Sequence, residues 1–539
     1  MGHSAARPTL GDLLVEATRR DPERPAFVLP EERRSYAELL DGAWRVARGL
    51  AALGVSRGDH VGLLMPNSAD YVESFFGIAL LGAVVVPLNT RLKRELGFVV
   101  AKADLVAVLT SDAVVEYVDF TEVLRDALPS LADAADVALD LPEAPRLRSV
   151  ALLRGGGRPG FLGADAFARL AAAAPEPEPA AVDPADTAAI LFTSGTTAEP
   201  KGCVLSHRAL TARPLWRLAE RIAAGGTPVV WSVGPLFHIA SLQLLIGSVG
   251  AGGTYTTDLH FEPERAIEAI RRDGATTIWP WFPAVIEALL EHPSFDVEAF
   301  ASVTSIGLVG PPELLRRVQG LLPRAELLTS CGMTETGGTY ALSAAADTAE
   351  QRATTMGVAE PGIEVRVVDL ERGEVTAPGL AGEILVRGET VMDGYYELAG
   401  GRDEDGWIHT GDLYTETGSG HLVFNGRLKD MLKVGGENVA AVEVEALLCE
   451  HPAVKIAEVV GAPHSRLDEV PVAFVELNPG ATLGEDELAE FCRDRVASFK
   501  VPRRVRVVAA ADWPMSATKV DKRVLREWAA ADTAAASSR

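Results

Sequence analysis

Cysteine is scarce in this chain, with four residues among 539, at positions 203, 331, 449 and 492. They lie far apart and show no paired spacing, so the sequence predicts neither a disulfide scaffold nor a zinc site. Long apolar runs are also missing. No segment is long enough to span a bilayer, and the N-terminus carries no apolar signal core. We therefore expect a cytoplasmic protein without integral membrane association.

Positive charge is in short supply too. The chain has 51 basic and 75 acidic side chains, a net charge of −24. This balance disfavours nucleic acid and anionic membranes as general partners, so an anionic ligand must be met by a local cluster of cations and N–H groups. Hydrophobic residues make up 47% and charged residues 23%, which is ordinary for a soluble globular enzyme. A chain of this length exceeds one hydrophobic core and predicts at least two domains.

Apolar and capping residues alternate as strand, helix, strand over 60–88, and again over 303–328, while a third such unit begins near 275. This pattern predicts parallel sheets of the α/β class. Segment 357–388 has short alternating strands with Gly and Pro turns, which indicates a β-rich part. After 427, predicted strands and a helix indicate a small α+β domain, so we place the domains at 1–427 and 428–539.

Segment 124–186 is rich in Ala, Pro and Gly. Its composition predicts a loosely structured connector with one short helix near 165–173.

The segment Thr193–Gly202 (TSGTTAEPKG) follows an apolar run that is typical of a strand. Its glycines, hydroxyls and lysine are suited to wrapping a polyphosphate. Pro200 stands where a Walker loop needs glycine, so that pattern does not fit. A polar surface turn is the alternative interpretation.

Four later segments contain further candidates for ligand binding, catalysis or a hinge, and each also has a purely structural interpretation. They are Thr329–Thr336, where a capping pair is the alternative, and Gly406–Leu413, where the alternative is an Asx turn. The others are Gly426–Val439, which also fits a solvated linker, and Pro514–Lys522, whose lysines also fit plain surface charge.

Taken in order and spacing, these segments resemble the core motifs of the adenylate-forming superfamily, which includes acyl- and aryl-CoA synthetases, and the resemblance covers nearly the whole chain. It implies a large N-terminal domain with two doubly wound α/β subdomains and a β-rich, barrel-like subdomain. A small, mobile C-terminal α+β domain would follow.

The resemblance also implies residue roles. Lys519 would be the catalytic lysine, Glu335 the Mg²⁺ ligand and Lys429 the hinge. His238 would line the acyl pocket, for which a packed core histidine is the alternative. Lys433 would approach the thioester-forming site with the turn Gly435, Gly436 and Glu437. The nucleotide contacts would be Thr193, Ser194, Gly195, Thr196, Thr197, Lys201, Gly310, Pro311, Pro312, Ser330, Cys331, Gly332, Met333, Thr334, Asp412, Phe424 and Arg427.

The implied activity is that of an ATP-dependent acyl-CoA ligase that uses ATP, Mg²⁺ and coenzyme A and releases AMP and pyrophosphate. Apolar and aromatic residues at the implied acyl pocket predict a hydrophobic acid: fatty, aryl, or bulky alicyclic or terpenoid. Two alternatives stay open, namely loading of a separate carrier-protein thiol and a catalytically silent binding homologue. A homodimer is also left open.

The sequence departs from the family pattern at Ala198, Cys331 and Ala441, and no glycine precedes Lys519. The missing glycine leaves Lys522 as the alternative catalytic lysine.

Overall fold

The computed structural model describes residues 8–92, 94–175, 181–193, 200–212, 226–434, 437–464, 467–493, 495–516 and 519–537. The helices are Leu10–Arg20, Tyr36–Ala52, Ala69–Leu80, Arg94–Lys102, Phe120–Ala127, Pro129–Ala132, Ala164–Ala173, His207–Thr211, Ile239–Gly250, Pro263–Asp273, Pro283–Glu291, Pro312–Leu321, Ala349–Thr354, Ala441–Cys449, Glu485–Arg493 and Lys522–Ser537.

The strands are β1 (Pro25–Val28), β2 (Arg33–Ser35), β3 (His60–Leu64), β4 (Val84–Pro87), β5 (Leu105–Thr110), β6 (Ser149–Leu152), β7 (Thr187–Thr193), β8 (Lys201–Ser206), β9 (Val229–Ser232), β10 (Thr254–Thr256), β11 (Thr277–Trp281), β12 (Ser305–Leu308), β13 (Glu326–Leu328), β14 (Ser330–Met333), β15 (Gly338–Leu342), β16 (Val358–Ala359), β17 (Ile363–Val368), β18 (Ala381–Gly388), β19 (Gly394–Tyr395), β20 (Ile408–Glu416), β21 (Leu422–Arg427), β22 (Met431–Val434), β23 (Glu437–Ala440), β24 (Val454–His464), β25 (Asp468–Leu477), β26 (Arg504–Val507), β27 (Met515–Ser516) and β28 (Lys519–Val520).

Two compact units divide the chain. The first comprises Met1–Val365 and Val386–Ile408, and the second comprises Arg366–Leu385 and His409–Arg539. The α/β class is confirmed, whereas the domain boundary placed at 427 stays a prediction.

The first unit is built on two seven-stranded sheets, with orders β13-β12-β11-β9-β10-β1-β2 and β19-β8-β7-β4-β3-β5-β6. The predicted strand–helix–strand units are confirmed in both. Ser68 caps the helix after β3 by accepting from the Tyr71 amide, and β3 pairs in parallel with β4. β12 and β13 likewise pair in parallel around the helix Pro312–Leu321. Parallel strands joined by helical crossovers therefore form the centre of both sheets, and antiparallel strands are added at one edge of each, β2 in the first and β8 with β19 in the second.

The loose connector with one helix that was predicted over 124–186 is wrong in part, because the segment also contains β6 and the helix Pro129–Ala132. β6 pairs in parallel with β5 at the edge of the second sheet. Leu147, Val150, Leu152 and Phe161 are buried in the core beside it. The apolar residues of this Ala-rich segment show no clear period, so the sequence pattern does not predict β6, which is stabilised by packing. The short helix was predicted correctly, as Ala164–Ala173.

The second unit contains the small sheet β23-β22-β25-β24, with β26 added in parallel to β25. Val459, Ala473 and Val475 lie in its core between the sheet and the helices Ala441–Cys449 and Glu485–Arg493. Two further sheets, β14-β15-β16 and β17-β18-β20-β21, make up the β-rich part of the chain. Among the described residues, no helix combines the length and hydropathy that a bilayer crossing needs.

Candidate active site

Lys201 lies at the first residue of β8, directly opposite Thr193 at the last residue of β7. The two strands are antiparallel, and the Thr193 hydroxyl lies 3.5 Å from the Lys201 carbonyl oxygen. Residues 194–199 join them, so the predicted contacts Ser194, Gly195, Thr196 and Thr197 lie outside the described residues. The strand ladder thus sets where the loop's lysine stands.

Glu335 lies in the short 3₁₀ turn Thr334–Thr336 that follows β14. The Tyr395 hydroxyl donates to Glu335 Oε1 over 3.0 Å, and the Lys201 ammonium lies 5.3 Å from the centre of the Tyr395 ring. Backbone bonds hold the group together, because the Met392 amide donates to the Glu335 carbonyl and β19 pairs with β8. The first unit therefore gathers a cation, a carboxylate and a phenol at one place.

Sequence reasoning missed Tyr395. The phenol is half-buried, and burial together with the neighbouring Glu335 carboxylate raises its pKa above the ordinary value of tyrosine. Tyr395 therefore stays protonated and keeps donating to Glu335. The pair Tyr395 and Tyr396 after a glycine has no periodic signal, so only the place of Tyr395 beside β8 identifies it.

Replacing Tyr395 with phenylalanine is expected to lower kcat/KM for ATP about tenfold, because a hydrogen bond to a charged group contributes about 1.5 kcal/mol or more. The ring over Lys201 is retained, so kcat is expected to change less. Steady-state kinetics in ATP will measure this. Tyr396→Phe is the matched control, because the Tyr396 hydroxyl bonds Asp104 instead. Equal effects from both variants would contradict a role specific to Tyr395.

The remaining predicted contacts on β14 are ordered by a tight hairpin with β15. A Cβ at Gly332 would stand 2.5 Å from the Gly338 carbonyl oxygen, so the close approach of the two strands requires glycine. Gln243, on the helix Ile239–Gly250, bonds both the amide and the hydroxyl of Thr339. The hairpin that carries Ser330, Cys331, Gly332 and Met333 is thereby tied to a buried helix.

His238 is the N-cap residue of that helix, and its ring lies 4.6 Å from the ring of Phe237. The preceding segment is pinned by two buried side chains. Asn67 bonds the Gly234 carbonyl and the Leu236 amide, and the Tyr71 hydroxyl donates to the Leu236 carbonyl. A rigidly held helix start is compatible with a pocket wall, and the role of His238 stays a prediction.

Aromatic side chains cluster where β11 ends. Trp281 has a φ of +65°, a conformation that costs a bulky residue energy and that clusters at functional sites. Its indole N–H donates to the Ser232 hydroxyl over 3.1 Å, and its ring lies 4.8 Å from that of Trp279. Gly310, Pro311 and Pro312 follow β12 and lead into the next helix.

In the second unit, Asp412 and Arg427 face each other across β20 and β21. Arg427 Nε lies 3.0 Å from Asp412 Oδ1. Phe424, three residues earlier on β21, is opposite Tyr414, with ring centres 5.4 Å apart. A carboxylate held by a guanidinium beside an aromatic ring is suited to nucleoside binding.

Lys519 lies in the electrostatic field of this pair. Its pKa is lowered, first because protein atoms crowd the ammonium group and then because Arg427 and Lys429 repel it, while Asp412 acts in the opposite sense. The residue as a whole is exposed, so solvent weakens these electrostatic effects.

Lys522, the alternative lysine, is engaged elsewhere. Its ammonium pairs with Glu445, lies 3.3 Å from Glu458 and bonds the Val459 carbonyl. These contacts tie the start of the last helix to β24 and to the helix Ala441–Cys449. In this unit, therefore, the Asp412–Arg427 pair influences the pKa of Lys519, whereas the pKa of Lys522 is influenced by Glu445, Glu458 and Asp430.

A depressed Lys519 pKa predicts an early alkaline limit to catalysis. The ammonium is the charged form, so it is lost as pH rises through its lowered pKa, below the ordinary lysine value of 10.5. We therefore expect kcat/KM for ATP to fall at alkaline pH, starting below the ordinary pKa of lysine. Arg427→Gln removes a repelling charge and is expected to move the alkaline limb to higher pH. A limb that moves to lower pH or stays in place would contradict the assignment.

The hinge candidate Lys429 lies in the 3₁₀ turn Leu428–Asp430 and is exposed. Lys433, on β22, is also exposed, and its amide donates to Glu469 Oε2 over 2.9 Å. Gly435 and Gly436 lie outside the described residues, and of Glu437 only the backbone is described.

No group of three or more His, Cys, Asp or Glu side chains is arranged to hold a metal ion in the described part of the chain. Mg²⁺ usually keeps several waters and takes one or two carboxylates plus substrate phosphates. A single carboxylate, Glu335, at the end of a strand hairpin therefore fits Mg²⁺ that arrives with a nucleotide.

Comparison with known proteins identifies the family. A family model described as AMP-binding enzyme matches residues 14–396, and one described as AMP-binding enzyme C-terminal domain matches residues 443–519.

Among curated relatives, 3-[(3aS,4S,7aS)-7a-methyl-1,5-dioxo-octahydro-1H-inden-4-yl]propanoyl:CoA ligase of Mycobacterium tuberculosis (strain ATCC 25618 / H37Rv) is 32% identical over 530 residues, covering 96% of this chain and 98% of the relative. The mitochondrial medium-chain acyl-CoA ligase ACSF2 of Mus musculus is 30% identical over 558 residues, covering 96% and 87%.

Solved structures share the fold. ATP-bound MatB from Rhodopseudomonas palustris superposes with a TM-score of 0.83 at 26% identity, covering 97% of this chain and 99% of that one. The anthranilate CoA ligase AuaEII in complex with anthranoyl-AMP gives a TM-score of 0.83 at 25% identity, with 98% of each chain covered. With both family models matched across most of its length, the chain belongs to the AMP-binding enzymes of the adenylate-forming superfamily and is an AMP-forming acid–CoA ligase.

Proposed function

We propose that this ligase adenylates a hydrophobic carboxylic acid with ATP and then transfers the acyl group to coenzyme A. The observation that carries the proposal is that Lys519 interacts electrostatically with Asp412 and Arg427, while Lys522 is held by two glutamates. A lysine near a nucleoside-binding pair can supply the cation that the substrate carboxylate and the α-phosphate share.

The first half-reaction brings two anions together. A carboxylate oxygen forms a bond to the α-phosphorus of ATP, the bond from that phosphorus to pyrophosphate breaks, and an acyl-adenylate results. Preorganised charge and alignment supply most of the catalysis in phosphoryl transfer. In the proposal, Lys201 and the loop before it bind the β- and γ-phosphates, Thr334 binds the α-phosphate, and Lys519 bridges both reactants. Mg²⁺ held by Glu335 would neutralise phosphate charge.

The second half-reaction forms the thioester. The thiol sulfur of coenzyme A bonds to the acyl carbonyl carbon, AMP departs with the electron pair of the broken bond, and the thiol proton is released. In the proposal, the C-terminal domain turns at Lys429 between the two steps, so that Lys519 leaves and Lys433 with the turn 435–437 approaches.

The acid itself is proposed from the lining. Trp279 and Trp281 meet at the end of β11, and Phe237 adjoins His238. Such aromatic surroundings favour a fatty, aryl or bulky alicyclic acid. The M. tuberculosis relative acts on an alicyclic propanoic acid and ACSF2 on medium-chain acids, and both fall within this range.

One assay tests the proposal. The purified chain is incubated with ATP, Mg²⁺ and a panel of fatty, aryl and alicyclic acids, and pyrophosphate release and acyl-CoA are measured with and without coenzyme A. Acyl-CoA formation from at least one hydrophobic acid is expected. If a thioester forms only on a carrier-protein thiol, that thiol and not coenzyme A is the acceptor. If no acid leads to pyrophosphate release, a catalytically silent homologue is favoured. Cytoplasmic localisation and a homodimer stay predictions.

A further inference from the structure

Arg526 holds the candidate hinge from a neighbouring helix. One and the same nitrogen, Nη2, donates to Asp430 Oδ1 over 2.6 Å and to the carbonyl oxygen of Lys429 over 3.2 Å. Asp430 is mostly covered, with 17% of its side chain exposed. A guanidinium that binds a carboxylate and an adjacent carbonyl together restrains the backbone as well as the side chain.

The helix that carries Arg526, Lys522–Ser537, is itself anchored. Lys522 binds Glu445 and the Val459 carbonyl at the helix start, and Leu525 and Ala529 are fully buried. Lys519 stands three residues before this helix. The helix Lys522–Ser537 therefore follows Lys519 in the sequence and also binds the turn Leu428–Asp430 through Arg526.

We propose that Arg526 is a positioning residue that sets where the hinge ends. The inference rests on the proposed function, in which the C-terminal domain turns at Lys429. The peptide unit from Cα of Lys429 to Cα of Asp430 is planar. Binding its carbonyl oxygen and the next side chain fixes this whole plane to the helix. Rotation can then use φ and ψ of Lys429, whereas the backbone of Asp430 moves with the helix.

A hinge confined to one residue returns Lys519 to the same place after each turn. If the restraint is lost, rotation spreads over Lys429 and Asp430, and the ammonium occupies a wider range of positions. A misplacement of about 1 Å can cost a hundredfold in rate, so a partial loss of precision is expected to slow adenylation about tenfold.

Arg526→Ala tests this, with Arg523→Ala as the matched control. Arg523 lies one turn earlier on the same helix, is 71% exposed and pairs only with Asp521 among the described residues. The first readout is hydrogen exchange of the segment 428–432, where the Met431 amide donates to the Leu428 carbonyl. Exchange is expected to rise about tenfold in Arg526→Ala and to stay at the wild-type rate in Arg523→Ala.

The second readout is kinetic. Arg526→Ala is expected to lower the rate of adenylation at saturating ATP about tenfold with little change in KM for ATP. Arg526→Lys keeps a positive charge that faces the Asp430 carboxylate and is expected to recover part of the lost rate. An Arg526→Ala variant that exchanges and adenylates like Arg523→Ala would overturn the proposal. If the wild-type chain adenylates no acid, the proposed function fails, whereas the exchange comparison still decides whether Arg526 restrains the hinge.

Discussion

Replacing Lys519 with alanine is expected to lower acyl-adenylate formation by at least about a hundredfold, because a preorganised cation that meets charge developing in the transition state contributes that much or more. Thioester formation from supplied acyl-adenylate is expected to be largely retained, since in the proposed mechanism the lysine takes no part in the second step. The two half-reactions are measured separately, by pyrophosphate release without coenzyme A and by acyl-CoA formation from synthetic adenylate.

Lys455→Ala is the matched control for this experiment. It removes a cation from the same unit, where Lys455 pairs with Glu476 and is 46% exposed, so little change in either step is expected. Equal loss of both half-reactions in Lys519→Ala would contradict a mechanism in which the lysine serves one step and is then withdrawn.

Replacing Glu335 with glutamine is expected to lower adenylation on the order of a hundredfold and to raise the Mg²⁺ concentration needed for half-maximal rate. Glutamine keeps the size of the side chain and an oxygen that accepts from the Tyr395 hydroxyl, so the exchange removes charge while the local bond is retained. The rate is measured against free Mg²⁺ at saturating ATP.

Asp393→Asn provides the comparison, because Asp393 lies two residues before Tyr395 and pairs with Arg402. No shift in Mg²⁺ dependence is expected for it. A Glu335→Gln variant that loses rate at an unchanged Mg²⁺ requirement would contradict the proposal that Glu335 binds the ion.

The architecture was largely predictable because its strands and helices alternate with clear periods. β3, the helix Ala69–Leu80 and β4 follow directly from apolar runs and a Ser cap. β6 was not predictable, because it is stabilised by pairing with β5 and by buried residues from distant segments. Local patterns record local preferences, and tertiary packing overrides them where the segment is short.

The site shows the same division. The segments that carry Lys201, Glu335, Asp412 and Arg427 stand out by composition and order. Tyr395 has no such signal and is identified only by its contacts. The choice between Lys519 and Lys522 was likewise beyond the sequence, since the two lie three residues apart. It depends on which neighbours each ammonium meets in the folded unit.

The hairpin formed by β7 and β8 has a consequence for how such a loop can diverge. Thr193 and Lys201 are paired residue to residue, so the sheet anchors both ends of the loop. The backbone position of Lys201 is therefore set by this pairing. Replacements between these two paired residues, such as the Ala198 of this sequence, therefore leave the backbone pairing of Lys201 unchanged. The hairpin thereby allows the joining residues to vary in evolution while the candidate anion-binding lysine keeps its place in the sheet.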